Sequence, residues 1–283
     1  MKRVLFVFAL ALAAWAQPSL APPQIGFAED GASLFRPVLG VAGNFILGDA
    51  VFSGVAYAAY SGSYGLLKTG TSVITTDNKG QLLAAMDAPP GPASFAFFRD
   101  GSPAFAYLPG PNLLFAWYGS GFEMTRFDCQ LFPPNAVVGI SAPDAAHVVF
   151  LIQGDGGLRE VSVLIETGQA ESQIAIAGVA APALRLASGV LVYGGANGIV
   201  IRAADSSEVH LAGQFPTRFS LALMGAEWVE LSHLASSARF AIRITPGHEG
   251  FFLLPEASHL PDTRHLPEMS RSPEVNHLPE VNQ

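Results

Sequence analysis

The chain has 283 residues and a formal charge of −8, with 15 basic residues against 23 acidic ones, which makes nucleic acid and anionic membrane surfaces poor partners. Half of its residues are hydrophobic and only one is a cysteine, so it can bury a sizeable core but cannot close an internal disulfide. It contains no paired cysteines, no H-E-x-x-H and no EF-hand loop, so neither a metal nor a cofactor is expected.

At the N-terminus Lys2 and Arg3 precede an apolar run from Val4 to Ala14, and Ala14-Trp15-Ala16 matches a small-x-small cleavage pattern. This order predicts a signal peptide over residues 1–16, cut after Ala16, and a periplasmic or extracellular location. The apolar run is shorter than the roughly 20 residues a membrane helix needs, so no membrane span is expected. Without Lys2 and Arg3 the remaining chain carries 13 basic and 23 acidic residues, a formal charge of −10.

From residue 17 to 254 the chain consists of short runs rich in Val, Ile, Phe and Ala, broken by Asp30-Gly31, Asp100-Gly101, Asp155-Gly156 and Asn197-Gly198. Such punctuation marks tight turns between strands and predicts an all-β domain over 17–254. "LLAAMDA" is the one stretch with some helical character, and it stops at Pro89-Pro90. In "FAFFRDGSPAFAYLPGPNLLFAWYGSGF" three aromatic-Ala-aromatic triplets start at Phe95, Phe105 and Phe115. Side chains alternate across a strand, so each triplet puts two rings on one face and a methyl on the other. This predicts a meander with one bulky and one thin face, stacked between two neighbouring sheets.

Similar four-strand sets begin near Val51, Ala93, Ala136, Ala183 and Phe219, at spacings of 42, 43, 47 and 36 residues. Four strands per period of about 40–45 residues is the signature of a β-propeller. The expected architecture is a propeller of five four-stranded blades. The hairpin "IGFAEDGASLFRPVLG" would complete the last blade or join "NFILG" as a reduced sixth. A six-bladed ring and a β-sandwich are the alternatives that accommodate the same strands.

Through repeated meanders such as "PAFAYLPGPNLLFAWYGSGFEMTRF", and through "RPVLGVAG", residues 24–254 resemble exported bacterial β-propeller proteins. The resemblance implies the fold and carries no functional residue with it.

Candidate chemistry is sparse. Asp144 and His147 in "SAPDAAHVV" are spaced for a local carboxylate–imidazole pair, though Asp144 also suits a turn before a strand. Glycoside hydrolysis needs only two placed carboxylates, for which Asp128, Glu160, Glu227 and Glu230 are the core candidates. Glu227 and Glu230 flank Trp228, but three residues apart on a strand they point to opposite sides. Asp144, His147, Glu227, Trp228 and Glu230 are therefore the candidate binding residues. Cys129 in "TRFDCQLF" reads as a small buried side chain.

Residues 255–283 form proline-bearing hexads, including "HLPDTR", "HLPEMS" and "HLPEVN". Regular proline and little to bury predict a flexible, disordered tail that serves as a linker or as a weak protein-docking array. The combined expectation is an exported, non-catalytic binding or scaffolding module whose partner is a protein or a glycan. The alternatives are a carbohydrate-active enzyme and a surface protein that self-associates through its tail.

Overall fold

The computed structural model describes residues 21–256 apart from Asp100, 126–131, 134–135, 214–217, 234–235 and Ser237. The signal peptide expected at 1–16, the hexads beyond Glu256, Asp128 and Cys129 lie outside the described residues.

Blade 1 contains β1 (Gln24–Glu29), β2 (Leu34–Val41), β3 (Asn44–Leu47) and β4 (Phe52–Ser53). Blade 2 contains β5 (Val55–Tyr60), β6 (Gly65–Thr69), β7 (Ser72–Thr76) and β8 (Leu82–Asp87), and blade 3 contains β9 (Ser94–Phe97), β10 (Ala104–Leu108), β11 (Leu113–Trp117) and β12 (Phe122–Met124). Blade 4 contains β13 (Val137–Ser141), β14 (His147–Gly154), β15 (Gly157–Leu164) and β16 (Gln169–Ile176). Blade 5 contains β17 (Ala183–Arg185), β18 (Leu191–Gly195), β19 (Gly198–Arg202) and β20 (Glu208–Ala212), and blade 6 contains β21 (Phe219–Gly225), β22 (Trp228–His233), β23 (Arg239–Arg243) and β24 (Gly250–Leu253). The chain is an all-β propeller of six antiparallel sheets. No helix among the described residues is long and apolar enough to cross a membrane.

The count of five blades is corrected to six. Blades 2 to 6 begin close to the five repeat starts read from the sequence, and each is a consecutive four-strand meander. Blade 1 escapes the repeat because its outer edge is split. The long β2 pairs with β3 through Val38–Val41 and with the two-residue β4 through Leu34 and Phe35. The segment "LLAAMD" is strand β8, on the exposed edge of blade 2. Ladder pairing with β7 overrides its weak helical propensity.

Blade 3 also departs from expectation. Its register sets Ala104 opposite both Phe97 and Trp117, and Phe105 opposite both Ala96 and Ala116. The rings of β10 therefore face away from those of β9 and β11, and each face alternates aromatic with methyl rather than being bulky or thin. One face packs Phe105 and Tyr107 against Phe150 and Val148 of blade 4. The other packs Phe97 and Trp117 against Ala59 and Leu66 of blade 2. Full burial of side chains such as Phe105, Leu66 and Phe150 contributes about 1.5–3 kcal/mol each.

Packing, rather than a shared strand, closes the ring between blades 1 and 6. Ala28, Val38 and Phe45 meet Met224, Trp228, Ala241 and Leu254, with the Phe45 and Trp228 rings edge-to-face at 5.5 Å. The backbones of β1 and β21 touch where both carry glycine. A Cβ on Gly26 would stand 1.7 Å from the Met224 carbonyl oxygen, and one on Gly225 would stand 2.2 Å from that of Ile25.

Candidate functional site: one pole of the central cavity

The blades surround a cavity of about 1170 Å³. Its walls are apolar and come from β5 (Ala56, Tyr57, Ala58), β9 (Phe95), β13 (Val138), β17 (Leu184) and β21 (Leu221). Among the described residues, blade 1 enters the lining at the last residue of β1, Glu29, and in the turn that follows it, Asp30–Ala32. Polar side chains gather where this turn meets blade 6, and there Glu29, Glu230, Ser232, Arg239 and Glu256 border the same space.

Alternation along β22 builds the blade 6 half of this pole. Trp228, Glu230 and Ser232 share one face, while Val229 and Leu231 point the other way into the core between blades 5 and 6. The β22–β23 register sets Arg239 directly across from Ser232 and hence diagonal to Glu230. Arg239 Nε donates to Glu230 Oε1 at 2.7 Å, and Ser232 Oγ donates to the same oxygen at 2.7 Å. Both members of this ion pair are buried, with side chains 7% and 8% exposed. Arg239 Nη2 is buried and has no hydrogen-bond partner among the described residues.

Glu29 faces this pair from blade 1. Its Oε1 accepts the backbone N–H groups of Gly31 and Ser33, each at 2.8 Å. Burial lifts its carboxyl above the ordinary value of 4.5 despite those donors, and the negative charge of Glu230 adds to the lift while Arg239 opposes it. The pole therefore offers one carboxyl shifted toward its protonated form and one held in an ion pair. Asp30 beside them is committed to the turn: Oδ1 accepts the N–H groups of Ala32 and Leu34, and Oδ2 takes Arg36 Nε at 2.6 Å.

The remaining candidates sit elsewhere. Glu227 precedes β22, lies outside the cavity lining, and accepts from Thr245 Oγ1 at 2.8 Å and Arg243 Nη2 at 3.2 Å. Trp228 is a wedge between blades 1 and 6 with the Arg243 guanidinium over its ring at 5.7 Å. Glu160 pairs with Arg185 at 3.1 Å, tying blade 4 to blade 5. Asp144 and His147 do meet: Asp144 accepts His147 Nδ1 at 2.9 Å while capping the N–H groups of Ala146 and His147. The other ring nitrogen faces Glu171 on β16 at 2.9 Å. The imidazole is held between carboxylates on opposite sides, which is a clamp on the blade edge rather than a convergent site. Among the described residues no group of three or more His, Cys, Asp or Glu side chains is placed to hold a metal.

Sequence reasoning missed Glu29 and Arg239. Glu29 reads as part of the turn "EDG" and Arg239 as one polar residue in the strand "RFAIRI". Nothing short-range marks them, because they come together only through closure of the ring.

No protein-family model matches the chain, and no curated protein does. Solved structures are similar to it in fold. A chain of a nidogen–laminin complex is 11% identical, with 82% of this chain and 98% of that one covered and a TM-score of 0.52. A protein of unknown function from Bacteroides caccae is 13% identical, with 83% and 100% covered and a TM-score of 0.49. The β-propeller domain of Cps50 (Swd1) from Myceliophteria thermophila is 13% identical, with 86% and 90% covered and a TM-score of 0.44. At such identities the likeness is one of architecture.

Proposed function

We propose that this protein is an exported, non-catalytic binding module whose recognition site is the central cavity, and that its ligand is an oligosaccharide. The observation that supports this is the convergence of Glu29, Glu230 and Arg239 on one end of an otherwise apolar cavity. Ligand sites combine apolar walls with a few convergent polar groups, and this pole supplies acceptors and a cationic donor within reach of one another. Tyr57, 43% exposed in the lining, offers a ring on which the C–H face of a sugar can rest. The export signal read at residues 1–16 would place such a module where glycans are its neighbours.

The test is a thermal-shift panel of cellulose, chitin and xylan oligosaccharides on the whole protein. A ligand at 100 times its Kd stabilises the fold by about 2.7 kcal/mol, a clear upward shift in Tm. Tyr57→Ala and Glu29→Gln should each abolish the shift. A panel that leaves Tm unchanged, or a shift indifferent to both substitutions, overturns the reading.

One observation favours a second reading, glycoside hydrolysis. Glu29 is lifted toward the acid form beside an ion-paired Glu230, and unequal environments for two carboxyls are what an acid and its partner carboxylate require. Release of chromophore from aryl glycosides by the wild type, lost in Glu29→Gln, would establish it. Ligand binding without turnover would leave the binding module standing.

A further inference from the structure

The described chain leaves the ring at the polar pole itself. Leu254 is 2% exposed within the closure cluster, and its N–H donates to the Arg239 carbonyl at 2.9 Å. This clamp sets the exit beside Arg239, and the next two residues, Pro255 and Glu256, line the cavity. The chain beyond Glu256 therefore starts from the lining of the site, and the composition of residues 257–283 matches it. The motif His-Leu-Pro-acid occurs three times, at 259–262, 265–268 and 277–280.

Each part of that motif has a counterpart at the pole. The mouth carries the carboxyls of Glu29 and Glu230 for a basic ring, and behind them the apolar wall of β21 and β5 for a leucine. A buried guanidinium nitrogen, Arg239 Nη2, has no acceptor among the described residues, and a hexad carboxylate would supply one. An unsatisfied buried donor costs about 1–3 kcal/mol, so an acidic partner there is favoured. Reach is no obstacle: an extended chain covers about 3.3–3.6 Å per residue, and His259 follows Glu256 by three residues. Tethering puts the motif at an effective concentration of order mM, and proline reduces the entropy lost on docking.

We propose that the hexad segment docks on the mouth of its own chain's cavity, one His-Leu-Pro-acid unit at a time. The imidazole faces Glu29 and Glu230, the leucine enters the apolar mouth, and the acid pairs with Arg239. Three equivalent units share one site, so the mouth stays occupied while any one of them exchanges. The hexad at 271–276, which has serine at its leucine position, does not dock. The proposal rests on the reading of the cavity as the recognition site, and it makes the segment a competitor that any outside ligand must displace.

The experiment puts a photoreactive residue at one unit, Leu266→p-benzoylphenylalanine, in the whole protein. The sample is irradiated at high dilution and the adducts are mapped by mass spectrometry. The expected result is an intramolecular adduct on Tyr57, on Phe219–Leu223 or on the strands from Trp228 to Arg243. Its yield should fall about fivefold or more when Asp262→Asn, Glu268→Gln and Glu280→Gln are combined in the same chain, because each unit then loses its charged hydrogen bond. These changes lie outside the ring and leave its fold alone. Adducts elsewhere on the ring, adducts only between molecules, or a yield unmoved by the charge changes each overturn the proposal. Failure of the glycan panel with cavity adducts present would sink the oligosaccharide reading and spare this one. Tyr57-dependent glycan binding with adducts elsewhere would do the reverse.

Discussion

Arg239 donates through Nε to Glu230 at 2.7 Å with both side chains less than a tenth exposed, so the two stand or fall together. Removing one leaves the other charged in a site that has already shed its water. Arg239→Met should cost about 3–5 kcal/mol, because it strands the Glu230 carboxylate. The double change Glu230→Leu with Arg239→Met should recover most of that loss, since an apolar pair of similar volume avoids the desolvation penalty. Urea unfolding of the four proteins gives the cycle. Equal costs for the single and the double variant would show that the pair does not behave as a unit.

Ring closure makes a separate demand on Gly26 and Gly225. Each sits where an added methyl would overlap a carbonyl oxygen of the facing strand, at 1.7 and 2.2 Å. Backbone cannot yield as a flexible side chain can, so blades 1 and 6 would have to part. Gly26→Ala and Gly225→Ala should each destabilise by about 2–4 kcal/mol, at the upper end of single substitutions. Gly70→Ala is the control, because its Cβ would meet open space. Urea midpoints that fall equally in all three variants would refute closure as the cause.

The His147 clamp predicts a pH dependence with a definite sign. The hydrogen bond to Asp144 raises its pKa above the ordinary 6.5, with Glu171 adding to the effect against burial. A folded pKa above the unfolded one means that the folded state holds the proton more tightly. The clamp therefore contributes fully below pH 6.5 and fades as pH rises through the elevated folded value. The Asp144 carboxylate is 51% exposed, so screening keeps the contribution below about 1 kcal/mol. In His147→Gln the fall in Tm across that window should flatten. An unchanged slope would assign the dependence to other groups.

How much of this was legible in the sequence varied by kind of feature. Turn dipeptides and meander spacing located blades 2 to 6 because each strand pairs with its sequence neighbour, which local patterning can report. Blade 1 was miscounted because β2 spends its length on two partners, β3 and β4, and so breaks the period. In blade 3 the triplets were right and the faces wrong. Which residue of β10 opposes Phe97 depends on register, and register follows from packing against blades 2 and 4 rather than from the triplet itself. Alternation did separate Glu227 from Glu230, since it is a property of the strand alone. Glu29 and Arg239 were invisible for the opposite reason: more than 200 residues separate them, and only the closed ring makes them neighbours.

Lys68 supplies the last prediction. Its side chain is fully buried on the face of β6 that it shares with Leu66, which packs on Ala59, Phe97 and Trp117 of the blade 2–3 core. It donates to the Thr69 carbonyl, and among the described residues it forms no ion pair. Burial pushes its pKa below 10.5, so the unfolded chain holds that proton more tightly than the folded one does. Stability attributable to Lys68 therefore rises as pH climbs from the lowered folded value toward 10.5. Lys68→Met keeps the volume and removes the ammonium, and it should stabilise the protein by about 1–3 kcal/mol at neutral pH. The advantage should have narrowed by about pH 10, because above its lowered pKa the folded wild type sheds the proton that the unfolded chain keeps up to about 10.4. Urea midpoints of both proteins at the two pH values test this. A variant less stable than wild type at neutral pH would mean that the buried ammonium is held by more than its carbonyl.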